Sequence, residues 1–167
     1  ARLGQPVHIG SLRYALIPSP QLTLERVSVG QGQDAKANTI IVHVWPIGLF
    51  ANEKSFDSVE VNSVTLGPDA LAAAAGWVQP RPGALPFTVR RIQMNRVQLT
   101  LGNMELPALN ADLVLGRDGA LQNATVTDGK ARITFAPKDR GWQMNLTASG
   151  WAPPFGPGLQ FDDLTLA

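Results

Sequence analysis

No cysteine occurs in the 167 residues, which excludes disulfides, thiolate metal ligands and a cysteine nucleophile. A cysteine-free chain is compatible with the periplasm. Histidine is nearly missing too: His8 and His43 are the only two. Both fall inside strand-like stretches without clustered partners at ligand spacing, so they are expected to be ordinary strand side chains, with no metal site. Charge is scarce at 16% of residues and almost balanced, for a formal net charge of +1. The basic residues are scattered, with Arg90-Arg91 the one doublet, and nucleic acid as a partner would call for a basic stripe. Long hydrophobic runs are lacking as well. The longest, Ala70 to Val78, is broken by Gly76 and falls far below the ~18 residues of a membrane span. No signal peptide is readable, and strand-like sequence begins at once from Pro6, as expected of a piece of a longer protein.

What is present is β-pattern. Hydrophobic residues make up 44% of the chain, enough for a substantial core. Val, Ile and Thr recur in runs at 6–17, 21–29, 37–45, 56–66, 87–101, 104–115, 120–127, 130–136, 141–149 and 158–166. Turn chemistry separates the later runs at Asp118-Gly119, Asp128-Gly129 and Asp139-Arg140-Gly141, so 105–149 reads as an antiparallel meander. Asp128-Gly129 is the signal of a two-residue hairpin. One stretch reads as a helix, Pro68 to Trp77, with Asp69 in its first turn, a run of alanines and Gly76 at its end. Pro46-Ile47-Gly48-Leu49-Phe50 reads as a shorter turn. The segment 79–86, with three prolines, is a connection within a single 1–167 domain, dividing it into halves 1–78 and 87–167.

One phrase returns four times. LTLERVSV at 22–29 is echoed by VEVNSVTL at 59–66, IQMNRVQL at 92–99 and LQFDDLTL at 159–166. In each, two apolar residues alternate with polar ones, the parity slips across a polar pair, and two more apolar residues follow in the opposite phase. The pairs are Glu25-Arg26, Asn62-Ser63, Asn95-Arg96 and Asp162-Asp163. A one-residue slip sends every later side chain to the other face of a sheet. The expected remedy is a β-bulge at each pair, which restores the facing and bends the strand.

The same stretches carry a resemblance. Ile9-Gly10-Ser11-Leu12-Arg13 followed by Pro18-Ser19-Pro20 and the first copy of the phrase resembles the start of the AsmA-like proteins of Gram-negative bacteria. Ile41 to Phe50, with its Trp45-Pro46 turn, is similar to that family's strand and following turn. Ser58 to Pro68 fits its continuation into Gly-Pro, and 118–164 resembles its C-terminal half. The resemblance implies an inner-membrane-anchored periplasmic protein, its anchor N-terminal to the stretch seen here. It also implies a β-groove that handles phospholipid between membranes.

Catalytic patterns are missing from the reading. Asp162-Asp163 is an acidic doublet, but neighbouring strand residues point to opposite faces. Gly30-Gln31-Gly32 is a fragment of a phosphate-loop pattern with no helix after it. Surface area supplies the positive argument. Eight to ten strands ~4.8 Å apart make a sheet roughly 40 Å wide, and a ten-residue helix of ~15 Å cannot cover its apolar face. The sheet therefore closes on itself as a sandwich or barrel, or it leaves an apolar groove.

The expectation is a mainly β protein, a strongly bent antiparallel sheet with one short Ala-rich helix plugging one end. Its expected function is non-enzymatic: binding lipid acyl chains along a groove lined by Leu22, Leu24, Val59, Val61, Ile92 and Met94. The alternative is an assembly module of an envelope or secretion complex, pairing with protein partners through sheet edges.

Overall fold

A computed structural model describes residues 6–30, 35–44, 54–70, 72, 87–101, 104–138, 141–153 and 160–166. The protein is mainly β. Among the described residues eleven strands run in chain order: β1 (Val7–Ala15), β2 (Gln21–Val29), β3 (Ala35–Val44), β4 (Lys54–Leu66), β5 (Phe87–Leu101), β6 (Met104–Glu105), β7 (Leu109–Leu115), β8 (Leu121–Thr127), β9 (Ala131–Lys138), β10 (Gly141–Trp151) and β11 (Phe161–Leu166). They form one sheet in the order β1-β2-β3-β4-β5-β7-β8-β9-β10-β11, with the two-residue β6 attached to β5. The sheet does not close into a barrel: β1 and β11 are its two edges.

Every pairing is antiparallel except β4 with β5, which run parallel. The expected antiparallel sheet is thus a mixed one, and this parallel seam joins the two halves recognised in the sequence. The meander from β7 to β10 is present as expected. The single strand expected over 104–115 is split at Leu106-Pro107-Ala108, because Pro107 has no N–H to give a ladder. The hairpin at Asp128-Gly129 also differs: β8 and β9 are joined by three residues, 128–130. The Asp128 carboxylate takes over the role of a backbone turn, accepting from the N–H groups of Lys130 (2.9 Å) and Ala131 (2.7 Å). Among the described residues, helix is confined to 68–70 and 72. The rest of the helix expected to Trp77, the Trp45–Phe50 turn and the 79–86 connection lie outside the described residues, as do Gln31-Gly32 and most of the Pro/Gly cluster at 152–158.

The phase slip in the repeated phrase has a definite backbone form. Arg26, Ser63 and Arg96, the second residue of each of the first three polar pairs, have φ of 53°, 53° and 56°. They sit in the left-handed region that costs a non-glycine residue about 1–2 kcal/mol. The expected bulges are mostly not there. Register is unbroken across β1–β2, β2–β3 and β4–β5 at these residues; one rung is merely skipped on both strands. The skipped residues form a line across the sheet: Gly10, Arg26, Asn38, Ser63 and Arg96. Each strand changes phase on that line, so no strand needs an extra residue relative to its neighbour. At the crease residues a true shift occurs where β5 meets β7, between Met94 and Val97. There Arg96 donates its backbone N–H to Asn110 Oδ1 at 3.0 Å, which satisfies the donor the bulge frees. The fourth copy departs from the others. Asp162 occupies a skipped rung, but the positive φ, 56°, belongs to Gly150 opposite it on β10.

The small core sits astride this line. Ala37, Val64 and Val97 are buried against Ile40, Val61, Leu66, Met94, Leu99 and Leu109. Val61 and Val64 differ by an odd number of positions yet share the cluster, so the crease between them keeps both halves of the strand on one face. Gly10 is required at the line for a separate reason: a Cβ there would lie 2.7 Å from Arg26 Nε and 3.0 Å from Arg26 Cβ.

Gly150 offers a clean measurement of the backbone term, because a Cβ there would meet nothing within 4 Å. Gly150→Ala is expected to lower stability by about 1 kcal/mol from the left-handed conformation alone, read as a lower urea midpoint at unchanged slope.

Candidate functional site

Because β1 to β5 change phase together on the crease, their apolar residues stay in register on one face, and the rows they form continue through β7 to β11. One row runs from Leu12 on β1 through Leu24, Ile40 and Val61 to Met94 on β5. It continues through Ala111, Val126, Ile133 and Leu146 to Leu166 on β11. No polar residue interrupts it. A second row beside it links Tyr14, Leu22, Val42, Val59 and Ile92, then Leu113, Ala124, Phe135 and Met144. Ten strands ~4.8 Å apart make this face roughly 43 Å wide.

All six residues expected to line a groove fall in these rows: Leu24, Val61 and Met94 in the first, Leu22, Val59 and Ile92 in the second. Sequence reasoning missed the residues that connect them, Ile40 and Val42 on β3. The signal was available, since Ala35 and Ala37 precede Asn38 and Ile40 and Val42 follow it in the opposite phase.

Among the described residues no second layer packs on this face; each strand packs with its ladder neighbours. Among the described residues no large side chain is fully buried. The six residues expected to line a groove are half-buried, while Leu12, Tyr14 and Leu166 near the edges are 57%, 78% and 52% exposed. Aliphatic side chains left in this state are the condition in which an apolar ligand or partner gains most by covering them.

The opposite face is mostly polar, with Ile41 and Val114 among its apolar residues, and many of its polar side chains are paired with one another. Ser11 Oγ donates to Glu25 Oε2 at 2.7 Å, with Arg13 at 3.4 Å from the same oxygen. His43 Nε2 lies 3.3 Å from Glu60 Oε1, and Asn95 Nδ2 donates to Asn62 Oδ1 at 3.0 Å across the parallel seam. Arg91 forms a two-pronged pair with Asp112, its Nε 2.8 Å from Oδ1 and its Nη2 on Oδ2. The hydrogen bond from Arg91 lowers the Asp112 pKa, against desolvation that raises it, and the cation's charge adds to the lowering. The hinge residues are therefore distributed as follows: Glu25, Asn62 and Asn95 make polar-face contacts, and Arg26, Ser63 and Arg96 carry the crease. Asp162 and Asp163 are exposed on the edge strand.

Open depressions on the polar face are lined by paired or solvated side chains, such as Gln93, Asn95, Asp112 and Arg132. Among the described residues no group of His, Asp and Glu gathers as metal ligands do. No helix there is long and apolar enough to cross a membrane. His8 is an exposed residue of β1.

Comparison with protein-family models finds no match, and no curated protein matches the chain.

The best-organised polar site is structural. Asp128 receives Lys130 N–H and Ala131 N–H on one oxygen and Trp151 Nε1–H (2.9 Å) on the other. Trp151 in turn stacks on Phe161 with centroids 6.3 Å apart, so one carboxylate ties the β8–β9 turn to the β10–β11 edge. Burial raises its pKa, but the hydrogen bonds from Ala131, Lys130 and Trp151 outweigh this and leave it lowered. A carboxyl with a depressed folded value adds stability above its unfolded pKa and loses it as pH falls through the folded one. Asp128→Ala is expected to cost about 1–3 kcal/mol at pH 7. The gap between parent and variant should narrow as pH drops below about 4, as followed by denaturant melts at several pH values.

Proposed function

We propose that this protein is a non-enzymatic lipid-handling module whose apolar sheet face holds acyl chains. One observation carries the reading: an unbroken row of ten apolar residues spans ten strands with no covering layer among the described residues. Acyl chains suit such a surface because it offers continuous aliphatic contact and no buried polar group to match; the described side chains leave none unsatisfied. Leu22, Leu24, Val59, Val61, Ile92 and Met94 form the central part of the contact. The resemblance to AsmA-like proteins supplies the setting: the periplasm, an inner-membrane tether outside this stretch, phospholipid as cargo, and support of the outer membrane.

The purified protein should carry co-purifying lipid detectable by mass spectrometry after denaturation, and should take up a fluorescent fatty acid. Ile92→Asp or Leu22→Asp should weaken that uptake at least about tenfold, as expected for one charge set into an apolar contact. Gln143→Asp on the polar face should leave it unchanged. Circular dichroism confirms that each variant keeps its sheet. Absence of both lipid and uptake, or equal uptake by Ile92→Asp, would overturn the reading.

The second reading, an assembly module that pairs through sheet edges, is favoured by a different observation: both edges of the sheet, β1 and β11, end without a further strand among the described residues.

A further inference from the structure

The left-handed crease residues are not distributed at random. They fall on β2, β4, β5 and β10 (Arg26, Ser63, Arg96 and Gly150). Following the pairings from β1, these four strands all run in one direction, and β1, β3, β7 and β11 run in the other. The crease residues of the second group, Gly10, Asn38, Asn110 and Asp162, have no positive φ. The physical reason is that a crease has one sense of bend. The φ that produces it depends on the direction in which the chain crosses the fold line.

This correlation restricts what can continue the sheet. Both edge strands, β1 and β11, run in the same direction and both cross their crease with ordinary φ. An antiparallel neighbour on either edge would need a left-handed residue at the crease. Neither β1 against a second β1 nor β11 against a second β11 supplies one. A parallel neighbour of the same kind fits, and the sheet contains the precedent: β4 and β5 lie parallel with Ser63 and Arg96 in the same state.

We infer that β11 of one copy of this chain pairs in parallel with β1 of the next, with Asp162 beside Gly10. Aligning the two crease residues places Phe161 beside Ile9, Leu164 beside Leu12 and Leu166 beside Tyr14, all on the apolar face. On the polar face it places Asp163 beside Ser11 and Thr165 beside Arg13, which brings the Asp163 carboxylate next to a cation. Neither edge strand contains proline, so both offer their outer N–H and C=O groups. Ile9, Leu12 and Tyr14 on β1 and Leu166 on β11 are among the exposed apolar side chains, and each has a neighbouring strand on one side only among the described residues. Such a contact is head-to-tail and generates a row of molecules, with the apolar face continued from one to the next. The inference does not depend on what that face holds.

The absence of cysteine makes the test direct. Neighbouring strands lie ~4.8 Å apart, within the Cα separation of a disulfide. Arg13→Cys and Thr165→Cys, each prepared singly and mixed under mild oxidation, should give a cross-linked dimer. Each alone should give at least about tenfold less. The Arg13→Cys, Thr165→Cys double variant should give a ladder of higher oligomers. Ile9→Lys, added to Arg13→Cys, should suppress the cross-link while circular dichroism shows the sheet retained. Three results would overturn the proposal: Arg13→Cys dimerising with itself as readily as with Thr165→Cys, no mixed cross-link at millimolar protein, or an equal yield with Ile9→Lys.

Discussion

The arrangement depends on one constraint: in an extended chain, side chains alternate faces, and a strand that changes phase must do so where its neighbours do. Five adjacent strands meet this requirement on a single line through Gly10, Arg26, Asn38, Ser63 and Arg96. If one strand broke phase elsewhere, a segment between the two breaks would turn its apolar residues to the polar side. The strain of three left-handed non-glycine residues is tolerated because each lies in a ladder secured on both sides. The core formed by Ala37, Val64 and Val97 sits where the two flanks of the crease meet.

That constraint also explains why the two faces differ so cleanly. The polar face satisfies itself through short cross-strand pairs such as Ser11–Glu25 and Asn62–Asn95. The apolar face has no such internal solution, since aliphatic side chains in one layer cover each other only edge to edge. The result is a sheet whose polar side is complete and whose apolar side is half-buried. The proposed acyl-chain binding is a response to that asymmetry, and the proposed edge pairing lengthens the same surface without changing its chemistry.

Much of this was legible in the residues. Strand-forming runs with turn chemistry between them located the strands, and four copies of one phrase marked crease residues, left-handed in three of the four. The six expected lining residues emerged in adjacent rows because the repeat fixes their parity relative to Arg26, Ser63 and Arg96. Three things were hidden. The mechanism of the phase change was misread as a bulge in each strand, because one strand alone does not reveal that its neighbour breaks at the same place. The parallel seam between β4 and β5 was invisible, since periodicity is indifferent to chain direction. At the fourth copy the left-handed residue moved from the Asp162-Asp163 pair to Gly150 across the ladder, where only glycine reaches that conformation without strain. The three-residue turn at Asp128 was disguised for a related reason: a side chain stood in for backbone hydrogen bonds.

The crease also limits how such a chain can vary in length. A single residue added to β4 between Ser63 and Thr65 would invert the far flank of that strand alone, setting Thr65 where Leu66 had faced Ala35 and Leu99. Two residues would restore the facing and merely slide the strand. Length changes inside these strands are therefore tolerable only in even steps, or as matched single steps in every strand at once. The loops beyond the strand ends are free of that arithmetic.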